Sequence, residues 1–121
     1  MNRSQNFQDL RERTKAFALR IIRMYISLPK RTEAQILGKQ VLRSGTSLGA
    51  HYREAYRSRS PAEFISKIEG GLQELEETSY WFDLLVESNI IPKKRLDSLV
   101  KETEELLAIF TSIAKAAKKS K

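Results

Sequence analysis

Residues 96–117 read LDSLVKETEELLAIFTSIAKAA, and their bulky members fall on one side of a helix. Leu96, Leu99, Val100, Thr103, Leu106, Leu107, Phe110, Ile113 and Ala117 recur at intervals of three and four, the spacing that 3.6 residues per turn brings onto a single face. The stretch therefore predicts a long amphipathic helix over about 93–117. The composition agrees. Ala, Leu, Ile, Glu, Lys, Arg and Gln dominate, residues that lose little freedom in a helix, against three prolines and five glycines. An all-α fold is expected, and sheet architectures are disfavoured.

Upstream, Ile90-Ile91-Pro92 interrupts the pattern, and a helix over about 61–89 precedes it. Its start is marked by Ser60-Pro61-Ala62-Glu63: a serine that caps free amides, a proline whose fixed φ suits the first turn, and a glutamate placed to reach back. Phe64, Ile68, Gly71, Leu75, Phe82 and Val86 form its core stripe. A helix over about 33–58 opens with Thr32-Glu33-Ala34-Gln35, which reads as a capping box. The first helix covers about 10–28 and stops at Pro29. Leu10, Phe17, Ile21, Met24 and Leu28 share one face, while Ala18, Leu19, Ile22 and Ile26 extend the apolar surface to a second side. Four such helices with short connections predict an antiparallel up-down-up-down four-helix bundle, one domain over 1–121. The competing arrangement is a pair of long helical hairpins exchanged between chains. A basic tail over 115–121 is expected to fray.

A chain of 121 residues suffices for one core. Cysteine is absent, which removes disulfides, thiolate nucleophiles and sulfur-based zinc sites. No apolar run approaches the roughly 18 residues of a membrane span, and Met1 to Asp9 lacks a signal-peptide core. A cytoplasmic protein with no membrane partner is expected. Catalysis lacks parts. His51 is the sole histidine, no acid is evident in sequence to orient it, and the residue three before it is Leu48, not the glutamate of a Glu-x-x-His metal element. The glycines between Arg43 and Gly49 lack the spacing and the Lys-Ser/Thr ending of a phosphate loop. No catalytic residue, metal or cofactor is expected.

Charge is uneven. Residues 1–60 carry 13 Lys/Arg against 4 Asp/Glu, a net of +9; residues 61–121 carry 9 against 11, a net of −2. An anionic partner would explain the basic half, and so would charge pairing between the two halves of one bundle. The second helix sorts into three sectors at about 100° per residue. Lys39, Arg43, Arg53 and Arg57 form a basic stripe. Opposite lie Leu37, Val41, Leu48, Tyr52 and Tyr56 with Gly38, Gly45 and Gly49. Each glycine costs about 0.8–1 kcal/mol relative to alanine in a helix, which close approach of a neighbouring helix would offset; a kink near Gly45 is the other reading. Gln40, Ser44, Ser47 and His51 make an uncharged polar strip, read as a hydrogen-bonding seam between helices or subunits. Tyr80, Trp81 and Leu84 stand off the core stripe of the third helix. With Ile22 and Ile26 they are the expected oligomer interface, base stacking on Trp81 being the alternative.

Several strings go further: Phe7-Gln8-Asp9-Leu10, Arg43-Ser44-Gly45-Thr46-Ser47-Leu48-Gly49-Ala50-His51-Tyr52-Arg53-Glu54-Ala55, Glu63-Phe64-Ile65, Lys67-Ile68 and Glu77-Thr78-Ser79-Tyr80-Trp81. Together they resemble the bacterial four-helix bundle family whose members are often encoded in intervening sequences of large-subunit ribosomal RNA genes. The resemblance covers nearly the whole chain and implies a homopentameric barrel of four-helix protomers. It extends distantly to the accessory protein of diversity-generating retroelements, which shares that barrel and associates with nucleic acid and a reverse transcriptase. No active site comes with it. The chain departs from the family pattern at His51, where Asn is expected, and at Gly70-Gly71, where larger residues are usual.

The expectation is therefore a non-enzymatic oligomer that binds RNA or DNA through the basic surface of its first two helices, with Lys39, Arg43, Arg53 and Arg57 as the contacts. The alternative is a protein-binding scaffold or accessory subunit for a nucleic-acid enzyme such as a reverse transcriptase.

Overall fold

The computed structural model describes residues 3–120, and their side chains from residue 7 onward. Met1 and Asn2 of the polar N-terminus and Lys121 of the basic tail lie outside the described residues. Four helices follow in order: α1 (Arg3–Ile26), α2 (Thr32–Ala55), α3 (Pro61–Glu87) and α4 (Lys93–Ser120). Each packs on its neighbours in sequence, and α4 returns to α1 to close the ring. Contacts run in opposite directions along every seam: Gly38, Gly45 and Gly49 of α2 meet Leu28, Ile21 and Thr14; Arg43 and Glu54 of α2 pair with Glu77 and Lys67 of α3; Glu69 and Gly71 of α3 meet Lys118 and Phe110 of α4; and Arg13 and Arg20 of α1 bond Glu102 and Ser98 of α4. This is the all-α antiparallel four-helix bundle that the periodicity predicts.

The α4 stripe delivers the core. Leu96, Leu106 and Phe110 are fully buried, each contributing about 1.5–3 kcal/mol over exposure, beside Phe17 and Ile21, Val41 and Leu48, and Ile68, Leu75 and Phe82. Val100, Leu107 and Ile113 are only partly buried, flanking that core. Tyr52 is the largest buried side chain. Its hydroxyl donates to the Phe7 carbonyl at 3.3 Å, and its ring stacks on Phe7 at 5.5 Å. Burial raises the Tyr52 phenol well above its ordinary pKa, so it stays neutral.

Helix ends follow backbone chemistry more than periodicity. The α3 start is as read: Ser60 Oγ accepts from Glu63 N at 3.1 Å, while Glu63 Oε2 accepts from the amide of Arg59 at 3.1 Å. The Thr32 capping box does not form. Arg31 is the N-cap, without a side-chain bond, and Gln35 Nε2 instead donates to the Pro29 carbonyl at 2.8 Å while its Oε1 accepts from Tyr25 Oη at 3.0 Å. Helix α1 starts at Arg3, well before Leu10, and ends at Ile26, with Leu28 buried in the turn beyond. Helix α2 ends at Ala55, three residues before the expected boundary. The tail expected to fray is helical through Ser120, with Lys118 and Lys119 in the last turn, where cations complement the helix dipole.

Past α3, Asn89 adopts φ 62°, a left-handed conformation that asparagine tolerates better than most residues. Ile90 N then bonds the Leu85 carbonyl and Asn89 N the Val86 carbonyl, both at 3.0 Å, satisfying carbonyls that the helix end leaves free. The reversal buries Ile90 and Ile91 and aims the chain into α4. Along the α1–α4 seam the helices come close at few places, and long side chains bridge them: Arg13 to Glu102 at 2.7 Å and Glu105 at 2.8 Å, and Arg20 to Ser98 at 2.7 Å.

Candidate nucleic-acid interface

Because α2 lies between α1 and α3, each sector of its surface meets a different neighbour. The glycine sector faces α1. A Cβ on Gly38 would stand 2.5 Å from Leu28 Cδ1, one on Gly45 2.8 Å from Ile21 Cγ1, and one on Gly49 3.3 Å from Thr14 Oγ1. The helix is continuous from Thr32 to Ala55, so these glycines admit a neighbouring helix and do not break their own.

The polar strip faces α3. Ser44 Oγ and Thr78 Oγ1 are 2.7 Å apart, and Thr78 Oγ1 donates to the Glu74 carbonyl at 2.8 Å. His51 Nε2 lies 3.5 Å from Glu74 Oε2. Ser47 instead bonds within α2, to the Arg43 carbonyl at 2.6 Å. Glu74 is only 9% exposed, and a carboxylate that far from water needs a cation. Arg43 supplies it, with Nη1 at 3.2 Å from Glu74 Oε1, and its Nη2 is also paired with Glu77. The hydrogen bond to Glu77 raises the guanidinium pKa further.

That pairing corrects the basic stripe. Arg43 is turned to α3 of its own protomer, because a long arginine stem carries its charge well away from the direction of its Cα–Cβ bond. Lys39 and Arg57 are exposed and Arg53 half-buried; none of the three has an ion pair among the described residues. Lys15 of α1, which sequence reasoning did not single out, joins them. It stands across from Arg53 on a groove of ≈ 290 Å³ floored by Ala18, Thr46, Gly49 and Ala50. Small residues on both helices were the available signal for that groove.

The expected interface residues separate as well. Ile26 is 70% exposed, Tyr80 56% and Ile22 37%, joined by Leu19 and by Ile36 at 58%. Trp81 and Leu84 are half-buried. The Trp81 ring packs against Tyr80 with centroids 5.1 Å apart, and its Nε1 is buried without a hydrogen-bond partner. Ile26 and Ile36 lie towards the end of the bundle where α1 passes into α2, whereas Leu19 and Ile22 stand near mid-height beside Gly45 of α2 and Tyr80 near mid-height on α3, just past the Ser44–Thr78 contact. Among the described residues no three His, Cys, Asp or Glu side chains group as metal ligands would, and no helix is long and apolar enough to cross a membrane.

The sequence profile of the 23S rRNA-intervening sequence proteins matches residues 8–112. The chain belongs to that family. The bundle is also similar to the crystal structure of a protein of unknown function from the S23 ribosomal protein family of Bacteroides thetaiotaomicron VPI-5482, with 36% sequence identity and a TM-score of 0.81. That similarity covers 87% of this chain and 97% of the other. No curated protein matches the chain. Within the 23S rRNA-intervening sequence family, the matched span takes in the whole of α2 and α3 and so the glycine seam, the polar strip and the basic stripe.

Proposed function

We propose that the protein is a non-enzymatic, oligomeric nucleic-acid-binding protein that holds RNA or DNA by its phosphates. The observation that carries this reading is the α1–α2 surface, where Lys15, Lys39, Arg53 and Arg57 stand without ion pairs in a chain of net charge +7. Unpaired cations on a rigid helical face attract a polyanion by releasing its counterions, an attraction that carries no base sequence information. A family named for an intervening sequence of 23S rRNA agrees with a nucleic-acid setting.

Anisotropy titrations of mixed-sequence RNA test it. Affinity is expected to fall with salt by roughly one unit of log-log slope per phosphate neutralised. Arg53→Glu with Arg57→Glu should weaken binding to all sequences alike and flatten the slope, with helix content unchanged. A double variant that binds as the parent does overturns the reading.

The exposed apolar residues Leu19, Ile22, Ile26, Ile36 and Tyr80 favour a second element of the proposal, self-association, for which the family resemblance indicates five subunits. They also support the scaffold alternative. A nuclease-treated pull-down separates the two functions: partners that vanish are held through nucleic acid, and partners that persist are held by protein contacts.

A further inference from the structure

The outward face of α1 carries a row of side chains left open to solvent. Lys15, Leu19, Ile22 and Ile26 follow one another at steps of four, three and four residues, the spacing that keeps side chains in one line along a helix. Leu19 is 45% exposed, Ile22 37% and Ile26 70%. Lys15 and Arg23 beside them are exposed too, and neither has an ion pair among the described residues.

The outward face of α3 repeats that spacing with the opposite charge. Glu76, Tyr80, Asp83 and Glu87 also step by four, three and four residues, and all four are exposed. The remaining acids of α3 are engaged: Glu74 and Glu77 with Arg43, Glu69 with Lys118, and Glu63 with the Arg59 amide. Glu76, Asp83 and Glu87 have no ion pair among the described residues. Asp83 and Glu87 border an open groove toward α4, floored by Phe82, Val86 and Leu96, so apolar surface lies beside the acids as well.

Helices α1 and α3 do not touch. They stand at opposite corners of the bundle and run in the same direction, each antiparallel to α2. Their rows overlap in height, since Ile21 packs on Gly45 and Thr78 meets Ser44, one residue away. No chain brings its own two rows together.

We infer that the α1 row of one copy docks along the α3 row of the next, a head-to-tail contact between copies of this chain. Charge selects that pairing. A two-fold contact would set cations against cations on α1 or acids against acids on α3, whereas α1 on α3 joins opposites. Tyr80 offers the aliphatic row an aromatic surface to pack on, and matching rows on two parallel helices meet side by side as in a coiled-coil seam. Because the two faces point away from each other, each copy has one of each to offer, and repetition builds a ring and not a pair. The α2 cations Lys39, Arg53 and Arg57 take no part and stay open to a polyanion, with Lys15 at the border of the two surfaces. The inference rests on the self-association proposed above and deepens it by naming the two faces and the polarity of their contact.

The test applies light scattering coupled to size exclusion to the nuclease-treated full chain. Leu19→Glu with Ile26→Glu blocks the α1 face, and Tyr80→Lys with Asp83→Lys blocks the α3 face; all four positions are exposed, and circular dichroism reports helix content. Each blocked chain alone is expected at the monomer mass of 13.9 kDa. An equimolar mixture of the two should run at twice that mass, because it retains one intact interface and cannot propagate. A blocked chain that still associates by itself, or a mixture that stays monomeric, overturns the pairing while self-association stands. A wild-type monomer at micromolar concentration overturns both. Should a blocked chain lose helix content, charge alone decides: Lys15→Glu with Arg23→Glu should dissociate the assembly, and adding Glu76→Lys with Asp83→Lys in the same chain should restore it. Reversals that leave the mass unchanged, or a four-fold variant that stays dissociated, overturn the pairing.

Discussion

A Cβ on Gly70 would stand 2.9 Å from both Cε1 and Nδ1 of His51, so the imidazole occupies space that any other residue at 70 would claim. The two departures from the family pattern at these positions are therefore one feature: a ring on α2 and the gap on α3 that admits it. Glycine within a helix costs up to about 1 kcal/mol relative to alanine, a loss that only the histidine makes necessary. Gly70→Ala alone is expected to be neutral or destabilising. In a His51→Asn background it should stabilise by about 1 kcal/mol, a non-additivity that a double-mutant cycle in urea measures; additive effects would separate the two residues. The sequence showed both departures, but only the fold brings them into contact. Arg43 carries a similar lesson. Its angle on the helical wheel was read correctly, but the carboxylates of Glu74 and Glu77, on another element, decide where its charge rests.

Elements were legible where side chains repeat and less so where backbone atoms decide. The α4 stripe fixed a helix because burial selects a period, whereas the α2 start depended on the Pro29 carbonyl, which no pattern reveals. The glycine sector of α2 was legible as an unusual cost needing compensation, and the compensation is α1. It is graded along the seam. At Gly45 the obstacle is Ile21, branched and fully buried, so Gly45→Ala should destabilise: overpacking costs about 1–3 kcal/mol, more than the helix-propensity gain of about 1 kcal/mol. Gly49→Ala meets Thr14 Oγ1 at 3.3 Å and should be near neutral. Thermal melts of the two variants give the order. A higher melting temperature for Gly45→Ala would show that α1 yields to the added methyl group.

For the whole molecule, the antiparallel order decides which apolar side chains stay outside. Leu19, Ile22, Ile26, Ile36 and Tyr80 remain exposed on α1, α2 and α3, and an open pocket beside Tyr56 and Phe64 lies where α2 gives way to α3. Of these, the sequence indicated the apolar second side of α1 but not the pocket, because Tyr56 and Phe64 carry the signature of core residues and their outward edges depend on how α4 ends. The exposed apolar residues should drive association. Light scattering coupled to size exclusion is expected to give a mass several times 13.9 kDa, five-fold by family resemblance, and Ile26→Glu with Tyr80→Glu should shift it toward the monomer with helix content intact. A wild-type monomer at micromolar concentration would remove self-association from the proposal.

The α1–α4 seam has a kinetic meaning. Where two helices are joined by guanidinium–carboxylate bridges at partly exposed positions, their attachment is screened by salt in a way that apolar packing is not. The bundle thus has a preferred line of parting, with α1 detaching from α4 before α2 leaves α3. Amide hydrogen exchange should show it: raising ionic strength is expected to speed exchange in α1 ahead of α2 and α3, and Arg13→Gln should reproduce that acceleration at low salt. Uniform exchange across the four helices would mean that the chain opens only by unfolding as a whole.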